Sequence, residues 1–418
     1  MTSWKMVKEN VEIFVLEFPQ NSMENILKIL HLRSHTPQDA LQRFAALTHS
    51  FYPQYISWHP MSCVPFATPK KHLVTWYFFS ISVLLGTVII TCKILREIIS
   101  SEKDIDVTIQ SAALLAIGVT LGIIISTTIF TFVYKTEEFC FVSRNLLDLN
   151  ESLVQKDPDI DKINFIGLLL HGLIGLSIIS PFMVSTFPLF HRKIDPTYFL
   201  FRKIPWFTPK LKIFLRIVLL FWLSLHSAIL LLTYLLSFYN WVASIRAILE
   251  SMTYKKQKIG TFLVKKSPQF SKVVKFPAFF ARYRGLQLIV AVCNQVIYFI
   301  TPIGMFLFFQ CAVALCYLLV RMSEIVPISL TFQAVVMLCA IIGMTHKMPP
   351  LMANIATWSI EFVQVWRQIH LPKDRVKQLD SFASLKIYIG PFCPITKKFR
   401  VDFYSALVYY TASLLISV

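Results

Sequence analysis

Charged residues are scarce in this chain. Only 15% of its 418 residues are Asp, Glu, Lys or Arg, against roughly 25% in a typical soluble domain. Hydrophobic residues make up 55% of the sequence, and the mean hydropathy is +0.60. One soluble core of this length cannot bury so much apolar surface. The composition therefore excludes a soluble protein and indicates a membrane protein.

We expect neither a signal sequence nor paired cysteines in this chain. Its first long apolar run begins only near Leu73, and Glu9, Glu12 and Glu17 interrupt the residues before it, so we expect a cytosolic N-terminal segment at 1–72. None of the eight cysteines forms a CxxC pair, and most lie in or near apolar runs. We therefore expect buried thiols rather than disulfides or a metal site.

Side chains that could carry out catalysis are missing as well. The sequence shows no nucleophile–base pair, no metal-ligand cluster and no glycine-rich phosphate loop, so we expect neither an enzyme nor a cofactor. His171 and His226 are the histidines within apolar runs. Polar groups in lipid are functional candidates, but no carboxylate lies in any run to relay a proton with them. Interhelical hydrogen bonding is the plainer interpretation of both.

Long apolar runs are what the chain has in abundance. Seven are expected to be transmembrane helices of an all-α protein: Leu73 to Ile94, Ile109 to Tyr134, Ile163 to Phe190, Leu211 to Ile248, Leu286 to Val320, a sixth from near Val326, and Asp402 to Val418. The sixth run continues past the membrane to about His370, with a kink expected at Pro349 and Pro350. We divide the chain into helices one to six at 73–350, a cytosolic segment at 351–400 and the last helix at 401–418.

The basic residues predict the orientation. With a cytosolic N-terminus, roughly 30 of the 41 Lys and Arg residues fall on the cytosolic side, as the positive-inside rule requires. The loop from Ser251 to Arg284 dominates this count, whereas the third loop, with Arg192 and Lys193, favours the opposite orientation. We therefore predict a cytosolic N-terminus and an extracellular C-terminus. The net charge of +18 is then a topological signal, which argues against nucleic acid as a partner, and the orientation argues against a G-protein-coupled receptor.

A ligand pocket is predicted from aromatic segments. The outer halves of the third, fourth and sixth helices place several aromatic, methionine and polar side chains at similar depth: Phe182, Met183, Ser185, Phe221, Trp222, Phe332 and Gln333. An apolar wall with a few hydroxyls and amides suits a small organic ligand. Ordinary packing of the bundle explains the same residues equally well.

The C-terminal segment carries a resemblance to a known family. Its sequence, QLDSFASLKIYIGPFCPITKKFRVDFYSALVYYTASLLISV, places a short amphipathic helix, a Gly-Pro-Phe turn and a connector before the last helix. This order resembles the C-terminal signature of the arthropod gustatory and odorant receptor superfamily. The resemblance implies a homo- or heterotetrameric, ligand-gated, non-selective cation channel in the plasma membrane of sensory neurons, opened by a tastant or odorant. The alternative is a seven-helix receptor or a transporter-like membrane protein without channel activity.

The same resemblance assigns roles to residues of the last third of the chain. It implies that cytosolic extensions of helices four to seven hold the subunits together, for which we select Trp358, Trp366, Phe382 and Tyr388. It also implies that the last helix lines a central pore, and helical spacing groups Ser405, Tyr409, Ala412 and Ile416 on one face, with Ser413 beside it. An ungapped alignment from Phe403 puts Ile416 at the gate position. The alternative is a packed last helix whose serines bond to the i−4 carbonyls. The Gln-Phe that usually closes the family signature is absent.

Overall fold

The structure is a computed structural model that describes most of the chain: residues 36–59, 62–101, 104, 106–153, 165–190, 195–202, 204–263, 270–321, 328–368 and 372–417. The predictions made for residues 1–35, for Arg192 and Lys193, for the basic residues at 264–269 and for Val418 lie outside these residues.

The described residues are mostly helical, with two short hairpins. The helices are α1 (Pro37–His49), α2 (Val74–Ile99), α3 (Ile109–Tyr134), α4 (Thr136–Leu153), α5 (Phe165–Ser185), α6 (Phe187–Phe190), α7 (Tyr198–Phe201), α8 (Pro209–Leu263), α9 (Phe270–Val296), α10 (Ile300–Arg321), α11 (Ile328–Arg367), α12 (Lys373–Asp380) and α13 (Phe399–Ser417). The antiparallel hairpins pair β1 (Ile56–Trp58) with β2 (Pro65–Ala67), and β3 (Tyr388–Ile389) with β4 (Cys393–Pro394). A 3-10 turn (Lys70–His72) leads into α2.

Six helices of the described residues are long and apolar enough to cross a membrane: α2, α3, α5 with its short continuation α6, α8, α10 and α11. They correspond to the first six predicted runs, although the fifth run is matched only in its second half. The last helix, α13, is not among them, because Arg400 and Asp402 in its first turn and the serine, threonine and tyrosine residues after them lower its apolar content. That α13 forms a seventh span therefore stays a prediction. We call the end of the bundle that carries α7 the predicted outer end, and the end that carries β3 and β4 the predicted inner end.

The fifth predicted run is not one continuous helix. It is divided between α9 and α10, with a break at residues 297–299. Pro302 explains the break, because it has no N–H to donate to the carbonyl of Tyr298 four residues earlier. By contrast, α11 continues through Pro349 and Pro350 to Arg367. Within the fifth segment, α10 alone is long and apolar enough to cross a membrane.

The long helix α8 lies at the centre of the bundle and packs against α5, α11, α4, α1, α2 and α3. Its buried stripe reaches the end of the predicted span and just beyond it, since Ile245, Ile248 and Met252 are fully buried. At that end Trp241 donates a hydrogen bond of 2.7 Å from Nε1 to the hydroxyl of Ser143 on α4. Helix α8 is therefore well packed at the predicted inner end of the bundle.

The N-terminal segment is part of the bundle from residue 36 onward. Helix α1 starts with a capping box, in which Thr36 and Asp39 bond to each other's backbone N–H groups, and it packs on α5 and α8. Tyr52, just after α1, hydrogen-bonds to His226 on α8 with 2.5 Å between Oη and Nδ1. Residues 36–59 and 62–72 therefore cover one flank of the helices instead of extending away from them.

Both predicted intramembrane histidines have partners. The Nε2 atom of His226 lies 2.9 Å from the hydroxyl of Ser80 on α2, which confirms the prediction of an interhelical hydrogen bond. The Nδ1 atom of His171 lies 3.5 Å from an Nη atom of Arg43 on α1. Because His226 is bonded at both ring nitrogens, its role is to fix α2, α8 and the N-terminal segment together.

Candidate pore helix and ligand site

Helix α13 packs on the rest of the chain with one face only. Phe403 and Leu407 are buried against α10 and α11, and the rings of Phe403 and Phe309 lie 5.5 Å apart, edge to face. The Tyr404 hydroxyl donates a hydrogen bond of 3.1 Å to the carbonyl of Ile342. These contacts fix the rotation of α13 about its own axis.

The five residues predicted to line a pore all lie on the uncovered side of α13. Ser405, Tyr409, Ala412, Ser413 and Ile416 are exposed in the single chain, with 68% of Tyr409 and 87% of Ile416 accessible. The five residues that helical spacing groups on one face are thus all uncovered by the rest of the chain. Their role in a pore stays a prediction, because a single chain does not show what covers this face.

The base of α13 is attached to the break between α9 and α10. Asn294, near the end of α9, donates a hydrogen bond of 2.9 Å to the carbonyl of Lys386 and accepts one of 3.1 Å from the N–H of Tyr388. Gly390, in the turn between β3 and β4, has a φ of +53°. A Cβ atom there would lie 2.6 Å from the carbonyl oxygen of Tyr298. The turn thus fits against the break only because residue 390 has no side chain.

Part of the predicted ligand site forms a row of aromatic rings. The rings of Phe182 and Phe221 lie 5.0 Å apart, those of Phe221 and Trp222 5.5 Å apart. Phe79 of α2, which sequence analysis missed, stacks on Trp222 at 5.4 Å. The sequence of α2 does not predict that Phe79 belongs to the row, since no pattern in this helix distinguishes Phe79 from the other aromatic residues. The row joins α5, α8 and α2.

The other predicted ligand residues are not part of this row of rings. Met183 is half-buried, and Ser185 is buried with its hydroxyl donating to the carbonyl of Phe182 at 2.8 Å. Phe332 and Gln333 lie in the second turn of α11, where Phe332 is 59% exposed. The Oε1 atom of Gln333 is buried and has no hydrogen-bond partner among the described residues. A free acceptor of this kind suits a donor from a ligand.

The four residues predicted at a subunit interface divide into two pairs. Trp366 is 4% exposed and packs on Phe279, and Phe382 is half-buried and stacks on Phe280 at 4.8 Å. Both rings therefore already pack against aromatic rings of their own chain. Trp358 lies under the guanidinium of Arg246 at 5.0 Å from the ring centre, while Tyr388 is 40% exposed. Tyr388 therefore keeps the surface that an interface needs.

Ion pairs join the loops at the predicted outer end. Asp104, between α2 and α3, accepts a hydrogen bond of 3.0 Å from Arg202 and one of 2.6 Å from Lys93. The Arg202 guanidinium holds the pKa of Asp104 well below its usual value, against a smaller opposing effect of burial. Arg216, which lies within the fourth predicted span, forms a buried ion pair with Asp195.

Within the described residues, no three His, Cys, Asp or Glu side chains come together as a metal site would need.

Together these features define a helical membrane protein with an N-terminal segment docked on the bundle, a long central helix and a last helix uncovered on one side. Among solved structures, the chain is similar to the insect olfactory receptor OR5 from Machilis hrabei, with a TM-score of 0.60 and 11% identity over 95% of this chain and 99% of that one. It is also similar to OR5 in complex with eugenol, with a TM-score of 0.63 and 12% identity over 91% of this chain and 98% of that one.

No family model and no curated protein matches the sequence. The likeness to solved structures extends over nearly the whole chain on both sides. The chain therefore has the fold of an insect olfactory receptor, and the resemblance noted in its C-terminal segment is confirmed at the level of the fold.

Proposed function

We propose that the protein is a chemosensory receptor of the insect type, a non-selective cation channel that a small organic tastant or odorant opens. One observation carries the proposal. The whole chain shares its fold with a receptor whose structure has been solved in complex with eugenol, a small organic molecule. A resemblance confined to the last forty residues would not support a receptor as strongly as a likeness over 91% of the chain does.

The channel part of the proposal is supported by α13. A helix packed on one side presents its other side to lipid or to further copies of the chain. Lipid contact gives nothing to Ser405, Ser413 or the Tyr409 hydroxyl, whereas a water-filled pore does. Four copies arranged around the exposed face of α13 would give these groups water and would enclose Ile416 on all sides.

The plasma membrane, with a cytosolic N-terminus, is the location that fits the distribution of basic residues.

The ligand pocket is proposed to lie against the aromatic row and Gln333. Trp222 is stacked on Phe79 and meets Phe221 at its edge, which leaves 39% of its surface accessible in the single chain. An apolar ligand would gain a flat surface there, and the free Oε1 atom of Gln333 would accept a hydrogen bond from a ligand hydroxyl. The scarcity of other polar groups favours bitter or volatile compounds over sugars.

Substitution of Trp222 tests the pocket. In cells expressing the chain, with current evoked by an agonist found by screening, we expect Trp222→Ala to weaken potency about tenfold or more, since such a loss corresponds to about 1.4 kcal/mol of contact energy. The matched control is Trp206→Ala, because Trp206 lies in the loop before α8 and is 90% exposed. Equal surface expression of both variants is required. Unchanged potency in Trp222→Ala would place the pocket elsewhere.

A further inference from the structure

A cavity of about 110 Å³ lies at the predicted inner end of the spans, away from the aromatic row. Five helices line it: α3, α8, α10, α11 and α13. None of the residues predicted for ligand binding borders it. Phe399 and Phe403, the first residues of α13 to meet the bundle, form one wall. Another wall is the part of α11 around Pro349.

The empty space is shown most directly by Gly304. This residue lies on α10, lines the cavity and is buried. A Cβ atom built on it would have no heavy atom within 4 Å. A buried backbone position normally meets neighbours at van der Waals distance, because protein interiors are close-packed. Gly304 therefore opens a space inside the bundle that a larger side chain would fill.

The walls are apolar and adaptable. Four methionines face the space: Met305, Met344, Met348 and Met352. Methionine side chains have several rotatable bonds and polarizable sulfur atoms, so they adjust to the shape of a ligand and make favourable contacts with aromatic rings. An apolar cavity of roughly 150 Å³ is known to bind benzene. A space of about 110 Å³ with flexible walls is therefore suited to a molecule with a single ring.

One polar group points to the chemistry of the ligand. Thr301, one turn before Gly304, lines the cavity and is 7% exposed. Its hydroxyl oxygen is buried without a hydrogen-bond partner of normal geometry among the described residues, although the Tyr234 hydroxyl lies beside it. The hydroxyl of Thr128, by contrast, donates to the carbonyl of Ile124 at 2.9 Å. A buried group with an unused hydrogen-bonding position favours a ligand that supplies the missing partner.

We propose that this cavity is a second binding site, for a single-ring aromatic molecule with one hydroxyl group, separate from the pocket against Trp222. The ring fills the space between the methionines, and its hydroxyl bonds to Thr301. A ligand held there contacts both α11 and the start of α13. Occupation of the site therefore links the position of the last helix to that of the helix on which it packs.

Binding can be measured without any channel current. Purified full-length protein in lipid nanodiscs is titrated with 4-fluorophenol and with fluorobenzene, and saturable binding is followed by fluorine NMR. We expect both probes to bind, with 4-fluorophenol tighter by about fivefold, as a net hydrogen bond of about 1 kcal/mol predicts. Thr301→Val should bring the two affinities together, since it keeps the shape of the side chain and removes the hydroxyl.

Filling the cavity gives the second arm of the test. Gly304→Leu should abolish this saturable binding of both probes, and Gly304→Ala should weaken it with less risk to folding. Gly86→Leu is the matched control, because Gly86 is also helical and open but lies on α2 away from the cavity. Binding should persist in Gly86→Leu and in Trp222→Ala, which separates this site from the agonist pocket.

The inference is overturned by either of two results. One is the absence of saturable binding in the wild-type protein, with the probes only partitioning into lipid. The other is binding that Gly304→Leu, Gly304→Ala and Thr301→Val all leave unchanged. A loss in Trp222→Ala instead would show that the probes occupy the agonist pocket, and would leave the proposed receptor function intact.

Discussion

At the scale of single residues, Gly390 has the most specific requirement in the connector to α13. Its φ of +53° belongs to a conformation that L-residues disfavour by about 1–2 kcal/mol, and its missing side chain admits the carbonyl of Tyr298. The Gly-Pro-Phe turn that carried the family resemblance thus has a physical reason. It brings the connector into contact with the break between α9 and α10.

We expect Gly390→Ala to lower the thermal unfolding temperature of the detergent-solubilised protein by several degrees, because it combines backbone strain with a contact of 2.6 Å. Fluorescence-detected gel filtration after heating measures the change. The control is Gly86→Ala, whose Cβ would lie in open space on a helix, so it should be neutral or slightly stabilising. Equal stability of Gly390→Ala and the wild type would show that the turn relaxes without cost.

At the scale of elements, the loop between α2 and α3 is held to the segment around α7 by charge. Asp104 meets Arg202 and Lys93 there, and its side chain is 17% exposed. Arg202 lowers the pKa of Asp104, so the carboxylate stabilises the folded state fully above its unfolded pKa of about 4. This stabilisation is lost only as the pH falls from there through the lowered value.

Asp104→Asn should therefore lower the unfolding temperature at pH 7, because Lys93 and Arg202 lose the carboxylate that they share and keep only Glu97 and Asp106 as acidic partners. Acidification of the wild type from pH 7 to pH 5 should leave this contribution unchanged. The matched control is Glu250→Gln, since Glu250 pairs with Arg246 on an exposed helical surface, where ion pairs contribute little. If the Asp104→Asn variant is no less stable than the Glu250→Gln variant, the ion pairs of Asp104 do not stabilise the folded protein.

Hydropathy predicted the spans well and their connections poorly. Six of the seven predicted runs contain a helix that is long and apolar enough to cross a membrane, since length and apolar content depend on nearby residues alone. The break before α10 was missed, although Pro302 was a local signal for it. The bond from Tyr52 to His226 joins residues 174 positions apart, and Asp195 meets Arg216 across a loop. No periodicity in one segment reveals such partners.

For the candidate pore and ligand sites too, the sequence predicted what depends on local spacing and missed what depends on tertiary packing. Helical spacing placed five residues of α13 on one face, because the face of a helix follows from its period, and all five are exposed in the single chain; that they line a pore stays a prediction. The aromatic row was predicted in part, but Phe79 joined it only through the packing of α2 on α8. The inner cavity was not predicted at all. A cavity depends on the side chains that surround Gly304 in space, and those come from five helices.

At the scale of the whole molecule, the proposed tetramer needs a surface beyond the membrane. Tyr388 is 40% and Phe392 is 76% exposed, on the same hairpin as Gly390. Exposed aromatic side chains are favoured anchors of interfaces. We expect Tyr388→Ala combined with Phe392→Ala to convert the tetramer on native gels into smaller species.

Trp366→Ala is the informative comparison for that experiment. Because Trp366 is already 4% exposed in one chain, its loss should cost about 3–5 kcal/mol of folding stability and should reduce the amount of folded protein rather than its oligomeric size. A tetramer that survives the double substitution at the hairpin would move the interface to another part of the chain.

The most direct test of the proposed channel is the resting current of cells that express Ile416→Ser. Ile416 is 87% exposed near the end of α13, and four copies around an axis would close a narrow pore by excluding water. We predict that Ile416→Ser conducts cations without ligand, with a reversal potential near zero. Leu414→Ser, about 160° around the helix, should stay closed. A surface-expressed Ile416→Ser that passes no current while Leu414→Ser leaks would contradict the proposed pore face, and silence of both in cells where the wild type also carries no ligand-evoked current would contradict the channel itself.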